Sequence, residues 1–83
     1  MKVTAVYYAM LREETGTGSE TYELPDGAGI SALMAAIGAR HPKFTAREKH
    51  LAVVSGTAYV SRDYRLSDGE EISFIPPVSG GAQ

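Results

Sequence analysis

One amphipathic segment among short β-type segments is the feature that most limits how this chain can fold. Its apolar residues follow the i, i+3, i+4, i+7 spacing of one helix face: Ile30, Leu33, Met34 and Ile37. The helix is predicted to begin after Gly29 and to end within residues 38–41, because Pro42 disfavours helical geometry in the residue before it. A helix with one apolar stripe has to bury it against another element.

The segments around this helix have the composition and alternation of β-strands. We predict strands over residues 2–9, 20–24, 50–55, 57–61 and 70–76. The polar residues 43–49 are predicted to form a connection, and Asp68-Gly69 to form the turn before the last strand. The order strand, strand, helix, strand, strand, strand predicts an α+β fold in which one helix packs on one face of a mixed sheet of about five strands. This is the order of the ubiquitin-like β-grasp fold.

Composition excludes several classes of function. With 83 residues, 43% of them hydrophobic, the chain forms one small domain, predicted over residues 1–76, with an extended tail over residues 77–83. The net charge of −2 comes from interspersed acidic and basic residues, so we expect no nucleic-acid partner. No apolar run approaches a bilayer span and no signal peptide is recognisable, which indicates a cytoplasmic protein without a membrane partner. The absence of cysteine excludes thiolate chemistry and cysteine-based metal sites.

The sheet face that the helix leaves uncovered carries apolar side chains. In the last strand Ser73 and Ile75 share one face, and the polar Ser73 marks that face as uncovered. The same alternation places Val6, Tyr8 and Tyr59 outward. We therefore predict that Tyr8, Tyr59 and Ile75 form an exposed patch that binds a partner protein. The alternative is that they are scattered surface residues, as every small protein carries.

The tail PPVSGG leaves the last strand in a form that cannot continue the sheet. Pro76 and Pro77 lack amide donors and favour an extended backbone. At about 3.3 Å per residue, residues 76–81 span on the order of 20 Å, enough to enter a buried site of another protein. Glycines at the end would not obstruct a narrow channel, although a frayed terminus is the alternative. The tail residues predicted to contact a partner or to react are Pro76, Pro77, Val78, Ser79, Gly80 and Gly81.

Other candidate sites are weak. His41 and His50 are isolated, lack metal-ligand spacing and are predicted to be surface histidines, so no metal site is expected. Glu70 and Glu71 are adjacent, and neighbours on a strand point to opposite faces, so they are poor acid–base partners.

Three stretches, VYYAMLREETG, ISALMAAI and LSDGEEISFIPPVSGG, resemble MoaD, the small subunit of molybdopterin synthase, and the similarity runs over nearly the whole chain. Related sulfur carriers of the thiamin pathway typically lack the PPVSGG form. The resemblance implies that a ubiquitin-activating-enzyme-like adenylyltransferase, using ATP and Mg²⁺, adenylates the carboxylate of Gly81, which then becomes a thiocarboxylate. It also implies a MoaE-like large subunit in which the sulfur is donated to form the molybdopterin dithiolene. This chain would be a non-catalytic subunit that binds no cofactor itself.

The sequence departs from this pattern at its end, where Ala82 and Gln83 follow the second glycine. MoaD-type carriers end at that glycine, so the resemblance requires a peptidase that removes the last two residues. If Gln83 is the true terminus, Gly81 has no free carboxylate to activate.

Three alternatives stay open at this point. The chain is a ubiquitin-like modifier that forms isopeptides through Gly81, a sulfur carrier for another pathway of the thiamin or cysteine type, or a non-covalent binding module.

Overall fold

A computed structural model describes residues 1–77, which form a five-stranded mixed sheet and short helices. The strands are β1 (Lys2–Tyr7), β2 (Ser19–Glu23), β3 (Ala52–Ser55), β4 (Ala58–Tyr59) and β5 (Glu71–Ile75). The helices are α1 (Met10–Thr15), α2 (Ile30–Arg40) and α3 (Pro42–Arg47), and a single 3₁₀ turn (Glu48–His50) follows α3. The predicted α+β class and β-grasp arrangement are confirmed.

The strand order is β2-β1-β5-β3-β4. β1 and β5 are parallel neighbours in the centre, and the remaining neighbours are antiparallel. Because parallel strands run in the same direction, β1 and β5 end at the same edge of the sheet. The fold therefore brings the end of the first strand next to the exit of the C-terminal tail.

The core lies between α2 and one face of the sheet. All four residues of the predicted apolar stripe of α2 are buried: Ile30, Leu33, Met34 and Ile37. They share one cluster with the inward residues of the central strands: Val3, Ala5, Tyr7, Ile72 and Phe74. The alternation of β1 and β5 thus buries one side chain in two, as a sheet with one covered face requires.

Residues 43–49 were predicted to form a connection, but most of them belong to α3, a helix that the sequence did not predict. Residues 1–77 contain three α-helices, and α3 begins at Pro42, where the fixed φ suits a first helical position and no amide donor is needed. Phe44 is 1% exposed, and its ring meets that of Phe74 edge to face at a centroid distance of 5.3 Å. A six-residue helix with one buried anchor is too short to show helical periodicity in the sequence.

Four strands, β1, β3, β4 and β5, are shorter than predicted. β1 ends at Tyr7 and not at residue 9, because Ala9 has a positive φ of 53° that leaves the β region. β4 includes only two of the residues predicted over 57–61. Among residues 1–77, no helix has the length and apolar character needed to cross a bilayer.

Candidate functional site

The sheet face opposite the core is partly exposed and carries a row of side chains from four strands. The ladder pairs Val6 with Ser73, Ser73 with Val54, and Val54 with Tyr59. Residues paired directly across neighbouring strands project from the same face. Val6, Ser73 and Val54 are half-buried, whereas the Tyr59 side chain stands out with 79% of its surface exposed.

A second group of side chains lies at the edge where β1 and β5 end. Tyr8 directly follows Tyr7, whose ladder partner is Phe74, so Tyr8 continues the register beside Ile75. Tyr8 is 45% exposed and Ile75 is half-buried. Extension of this register places Tyr8 beside Ile75, whereas Tyr59 lies on β4, two strands away from β5 and three strands away from β1.

These five residues are called the uncovered patch below: Val6, Tyr8, Val54, Tyr59 and Ile75. Val54 was missed as a patch residue in the sequence. Strand alternation could have placed Val54 on the uncovered face, because its neighbour Val53 points into the core. The continuous run of apolar residues hid this alternation.

The chain leaves the sheet beside the uncovered patch. Pro76 is buried and Pro77 is exposed. A concavity of about 120 Å³ lies at this exit, with Met10, Leu51 and both prolines among its lining residues. The predicted tail residues Val78, Ser79, Gly80 and Gly81, and also Ala82 and Gln83, lie outside the residues that the structure describes.

A carboxylate at the edge of the sheet, away from the uncovered patch, gathers three hydrogen bonds. Glu20 Oε1 accepts from Tyr7 Oη, Tyr22 Oη and His41 Nε2, each at 2.8 Å. The guanidinium of Arg40 lies 3.6 Å from Glu20 Oε2 and 4.4 Å from the centre of the Tyr22 ring. These residues, called the Glu20 cluster below, tie β1 and β2 to the end of α2.

The Glu20 cluster has clear electrostatic consequences. Burial raises the pKa of the Glu20 carboxyl, but the hydrogen bonds from the two tyrosines and His41, with the charge of His41, outweigh burial and hold that pKa below its usual value. Burial first, and then the hydrogen bonds to Tyr22 and Glu20, raises the pKa of the Tyr7 hydroxyl. The prediction of a surface histidine was wrong for His41, whose side chain is only 17% exposed. Its partners come from separate segments, so spacing along the chain gave no signal.

Two further carboxylates are held in a similar way. Glu70 Oε2 accepts hydrogen bonds from the hydroxyls of Ser55 and Tyr64, and Oε1 accepts one from the backbone N–H of Ser67 at 2.8 Å. Glu14 forms a bidentate pair with the guanidinium of Arg47. Burial raises the pKa of the Glu70 carboxyl, but its hydrogen bonds outweigh burial and hold that pKa below its usual value. The pKa of the Glu14 carboxyl is also lowered, mainly by the hydrogen bond from Arg47.

The three carboxylates described above, those of Glu14, Glu20 and Glu70, act as structural ties. Within residues 1–77, no group of three or more metal-ligating side chains comes together, and every buried side-chain nitrogen and oxygen has a hydrogen-bond partner. Glu71 is exposed and takes no part in the hydrogen bonds that Glu70 forms. His50 is exposed, as predicted. The described residues thus form a scaffold with a partly exposed apolar surface beside the point where Pro76 and Pro77 leave β5.

Comparison with known proteins gives a consistent result over the whole chain. The sequence matches the ThiS family over residues 5–81, so the match ends at the second glycine of the tail. A molybdopterin synthase sulfur carrier subunit from Chlamydomonas reinhardtii is 37% identical in an alignment of 83 positions that covers 98% of this chain and 100% of the relative.

Solved structures agree. A putative molybdopterin converting factor subunit 1 from Pyrococcus furiosus is 32% identical and superposes with a TM-score of 0.84, covering 94% of this chain and 99% of that one. A protein–protein complex of subunits 1 and 2 of molybdopterin-converting factor from Helicobacter pylori contains a chain with the same fold, at 21% identity and a TM-score of 0.68, covering 98% of this chain and all of that one.

Proposed function

The chain belongs to the ThiS family, and from this premise we propose that it is a sulfur carrier and the small subunit of a molybdopterin synthase. The observation that carries the proposal is the full-length similarity, at 37% identity, to a sulfur carrier subunit of that synthase. The geometry supports it, because an uncovered apolar patch lies beside the point where the tail that carries Gly80 and Gly81 leaves the sheet.

In the proposed reaction the reacting group is the backbone carboxylate of Gly81. A carboxylate is a poor acceptor for sulfide because its leaving group would be oxide. Attack of this carboxylate on the α-phosphate of ATP forms an acyl adenylate and releases pyrophosphate. Hydrosulfide, or sulfur delivered at that oxidation level, then displaces AMP with loss of a proton and leaves a thiocarboxylate. ATP and Mg²⁺ are bound by an activating partner of the ubiquitin-activating-enzyme type.

In the proposed function the described residues bind the partner proteins and direct the tail away from the sheet. Pro76 and Pro77 lack amide donors and follow the last residue of β5, so a partner that binds the uncovered patch would find the start of the tail beside it. Exposed aromatic residues such as Tyr59 are typical anchors of protein interfaces. We propose that the patch binds both the activating enzyme and a MoaE-like large subunit, in the cytoplasm, where ATP is available. The Helicobacter pylori complex of two subunits supports the second partner.

Removal of Ala82 and Gln83 is a required step of this proposal. A peptidase would hydrolyse the bond after Gly81 and thereby free the carboxylate that is activated. The end of the ThiS match at Gly81 supports this position for the functional terminus.

The proposal is tested by the mass of the protein in its own cell. We expect a form that ends at Gly81, and a fraction of it in which sulfur replaces one oxygen. In a reconstituted reaction with the activating enzyme, ATP, Mg²⁺ and sulfide, a chain of residues 1–81 should gain the thiocarboxylate. The matched control, residues 1–83, should gain none. An intact Gln83 in all cellular protein would overturn the proposal.

The same samples separate the alternatives. A ubiquitin-like modifier would give higher-mass conjugates on a denaturing blot, in which Gly81 is joined to lysines of other proteins. A non-covalent binding module would keep its function when residues 80–83 are deleted, whereas a sulfur carrier would lose it. A carrier for another pathway would form the thiocarboxylate but support no molybdopterin synthesis with the large subunit.

A further inference from the structure

The dipeptide Asp-Gly occurs twice in this chain, at residues 26–27 and at residues 68–69. Each pair lies at the centre of a turn that a backbone hydrogen bond of 3.1 Å closes, over residues 25–28 in one case and 67–70 in the other. The φ of the glycine is 84° in the first turn and 83° in the second. The same two residues therefore occupy the same kind of turn, and the contacts around the two turns decide how they differ.

An aspartate that precedes glycine can react with its own backbone. The glycine nitrogen attacks Cγ of the aspartic acid and loses its proton, and a carboxyl oxygen leaves as water, which closes a succinimide ring. Water then opens the ring. Cleavage of the bond from this nitrogen to Cγ restores aspartate, whereas cleavage of its bond to the main-chain carbonyl carbon gives isoaspartate. One water leaves and one is taken up, and glycine favours the attack because it has no Cβ to hinder it.

Both reacting groups of the first pair are accessible. The Asp26 side chain is 98% exposed, and its polar contact within residues 1–77 is an ion pair with the N-terminal ammonium at 3.6 Å. An ion pair with so exposed a carboxylate is weak, so the carboxyl group is free to rotate towards the backbone. The N–H of Gly27 meets no hydrogen-bond acceptor in the described part of the chain.

Both reacting groups of the second pair are held by the backbone of Lys2, the first residue of β1. Asp68 Oδ1 accepts a hydrogen bond from the N–H of Lys2 at 2.8 Å. The N–H of Gly69 donates to the carbonyl of Lys2 at 2.7 Å. The carboxyl group cannot turn towards the glycine nitrogen, and this nitrogen cannot lose its proton, until both hydrogen bonds open.

We propose that Asp26-Gly27 is a modification site at which the folded protein forms isoaspartate spontaneously, and that Lys2 protects Asp68-Gly69 from the same reaction. This inference does not depend on the proposed function. The product carries a free main-chain carboxylate at residue 26, which is the group that isoaspartyl methyltransferases esterify. The modified turn is therefore a substrate for an enzyme of that class.

The modification lengthens the backbone of this turn by one carbon. The carbonyl of Gly27 accepts a hydrogen bond from the Arg65 guanidinium at 3.1 Å, and the carbonyl of Ala28 accepts one from the N–H of Leu66 at 2.9 Å. The added carbon displaces both carbonyls from these donors. Isoaspartate at residue 26 thus weakens the attachment of the connection between β2 and α2 to residues 65–66.

The test is the amount of isoaspartate at each site after the folded full chain has been kept at neutral pH and physiological temperature for several weeks. Trypsin separates the sites into peptides 13–40 and 66–83, each with one aspartate and no asparagine. A purified isoaspartyl methyltransferase with labelled S-adenosylmethionine measures the product in each peptide. We expect about fivefold or more at residue 26 relative to residue 68, because two hydrogen bonds must open before Asp68 reacts.

Two controls accompany this measurement. In guanidinium chloride, where the contacts with Lys2 are lost, both sites should react at similar rates. Asp26→Glu keeps the charge at an exposed position but would require a larger ring, so peptide 13–40 of this variant should gain no label. Equal isoaspartate at both sites of the folded chain would overturn the proposal. So would its absence at residue 26 after a time in which the unfolded chain has reacted.

Discussion

Replacement of Glu20 by alanine should destabilise this protein far more than a typical substitution at a sheet edge. The carboxylate is 16% exposed and accepts hydrogen bonds from three side chains at 2.8 Å. The variant leaves Tyr7, Tyr22 and His41 without this acceptor. Because these residues come from two strands and the end of α2, the loss affects the attachment of β2 to the rest of the fold.

The magnitude follows from the donors that lose a partner. The hydroxyls of Tyr7 and Tyr22 are 3.1 Å apart, so one of them can donate to the other after the change. One hydroxyl and the His41 ring then lack an acceptor, although water reaches His41 in part. At about 1–3 kcal/mol for each unsatisfied buried group, we expect a loss of about 2–4 kcal/mol in the free energy of unfolding. That is a large share of the roughly 4–12 kcal/mol expected for a domain of this size.

Urea denaturation followed by circular dichroism at neutral pH measures this loss. The matched control is Glu23→Ala on the same strand, where the carboxylate is 72% exposed and lies 3.9 Å from Lys2 Nζ. An exposed pair of this kind contributes less than about 1 kcal/mol, so the control should unfold close to wild type. Equal stability of the two variants would refute the assignment of the Glu20 cluster as a structural tie.

Three further outcomes are expected. The pKa values of three carboxyls are lowered in the fold, those of Glu14, Glu20 and Glu70. The unfolded chain therefore binds protons more readily, so the stabilisation from these carboxylates should be fully present above the ordinary carboxyl range and should be lost as pH drops below about 4.5. A urea midpoint that stays constant down to about pH 3 would contradict this. Phe44→Ala should cost about 3–5 kcal/mol in the same urea assay, because it leaves a cavity beside a fully buried ring, and a loss below about 1 kcal/mol would show that α3 is not part of the core. Tyr59→Ser should change stability by less than about 0.5 kcal/mol but weaken binding of the large subunit about tenfold or more in titration calorimetry, whereas Ser61→Ala should do neither.

The sequence predicted those parts of the fold that repeat along the chain. The stripe of α2 was visible because four apolar residues follow one helical period, and all four are buried. The exposure of Tyr59 followed from simple alternation in a strand. By contrast, α3 has six residues and one buried anchor, Phe44, so its helical form depends on packing against Tyr7 and Phe74. Local propensity does not record such tertiary contacts.

The Glu20 cluster illustrates a second limit. Glu20 and Tyr22 alternate along β2, which is compatible with a shared face but says nothing about a common partner. His41 is 21 residues further along the chain and meets Glu20 only because α2 ends at the edge of the sheet. Side-chain networks between distant segments follow from the fold and not from spacing, and this network changed the interpretation of His41 from a surface residue to a structural one.

The parallel pairing of β1 and β5 places the proposed partner surface next to the point where the chain leaves the sheet. If the two strands were antiparallel, Tyr8 and the exit of the tail would lie at opposite edges, a full strand length apart. With parallel pairing, Tyr8 lies next to Ile75, and the tail starts at the following residue. A partner bound to the uncovered patch would therefore lie beside Pro76 and Pro77, where the tail begins. The proposed function thus separates recognition from reactivity: the folded part would bind the partner, and the chemistry would need only a backbone carboxylate, which is consistent with a chain that has no cysteine.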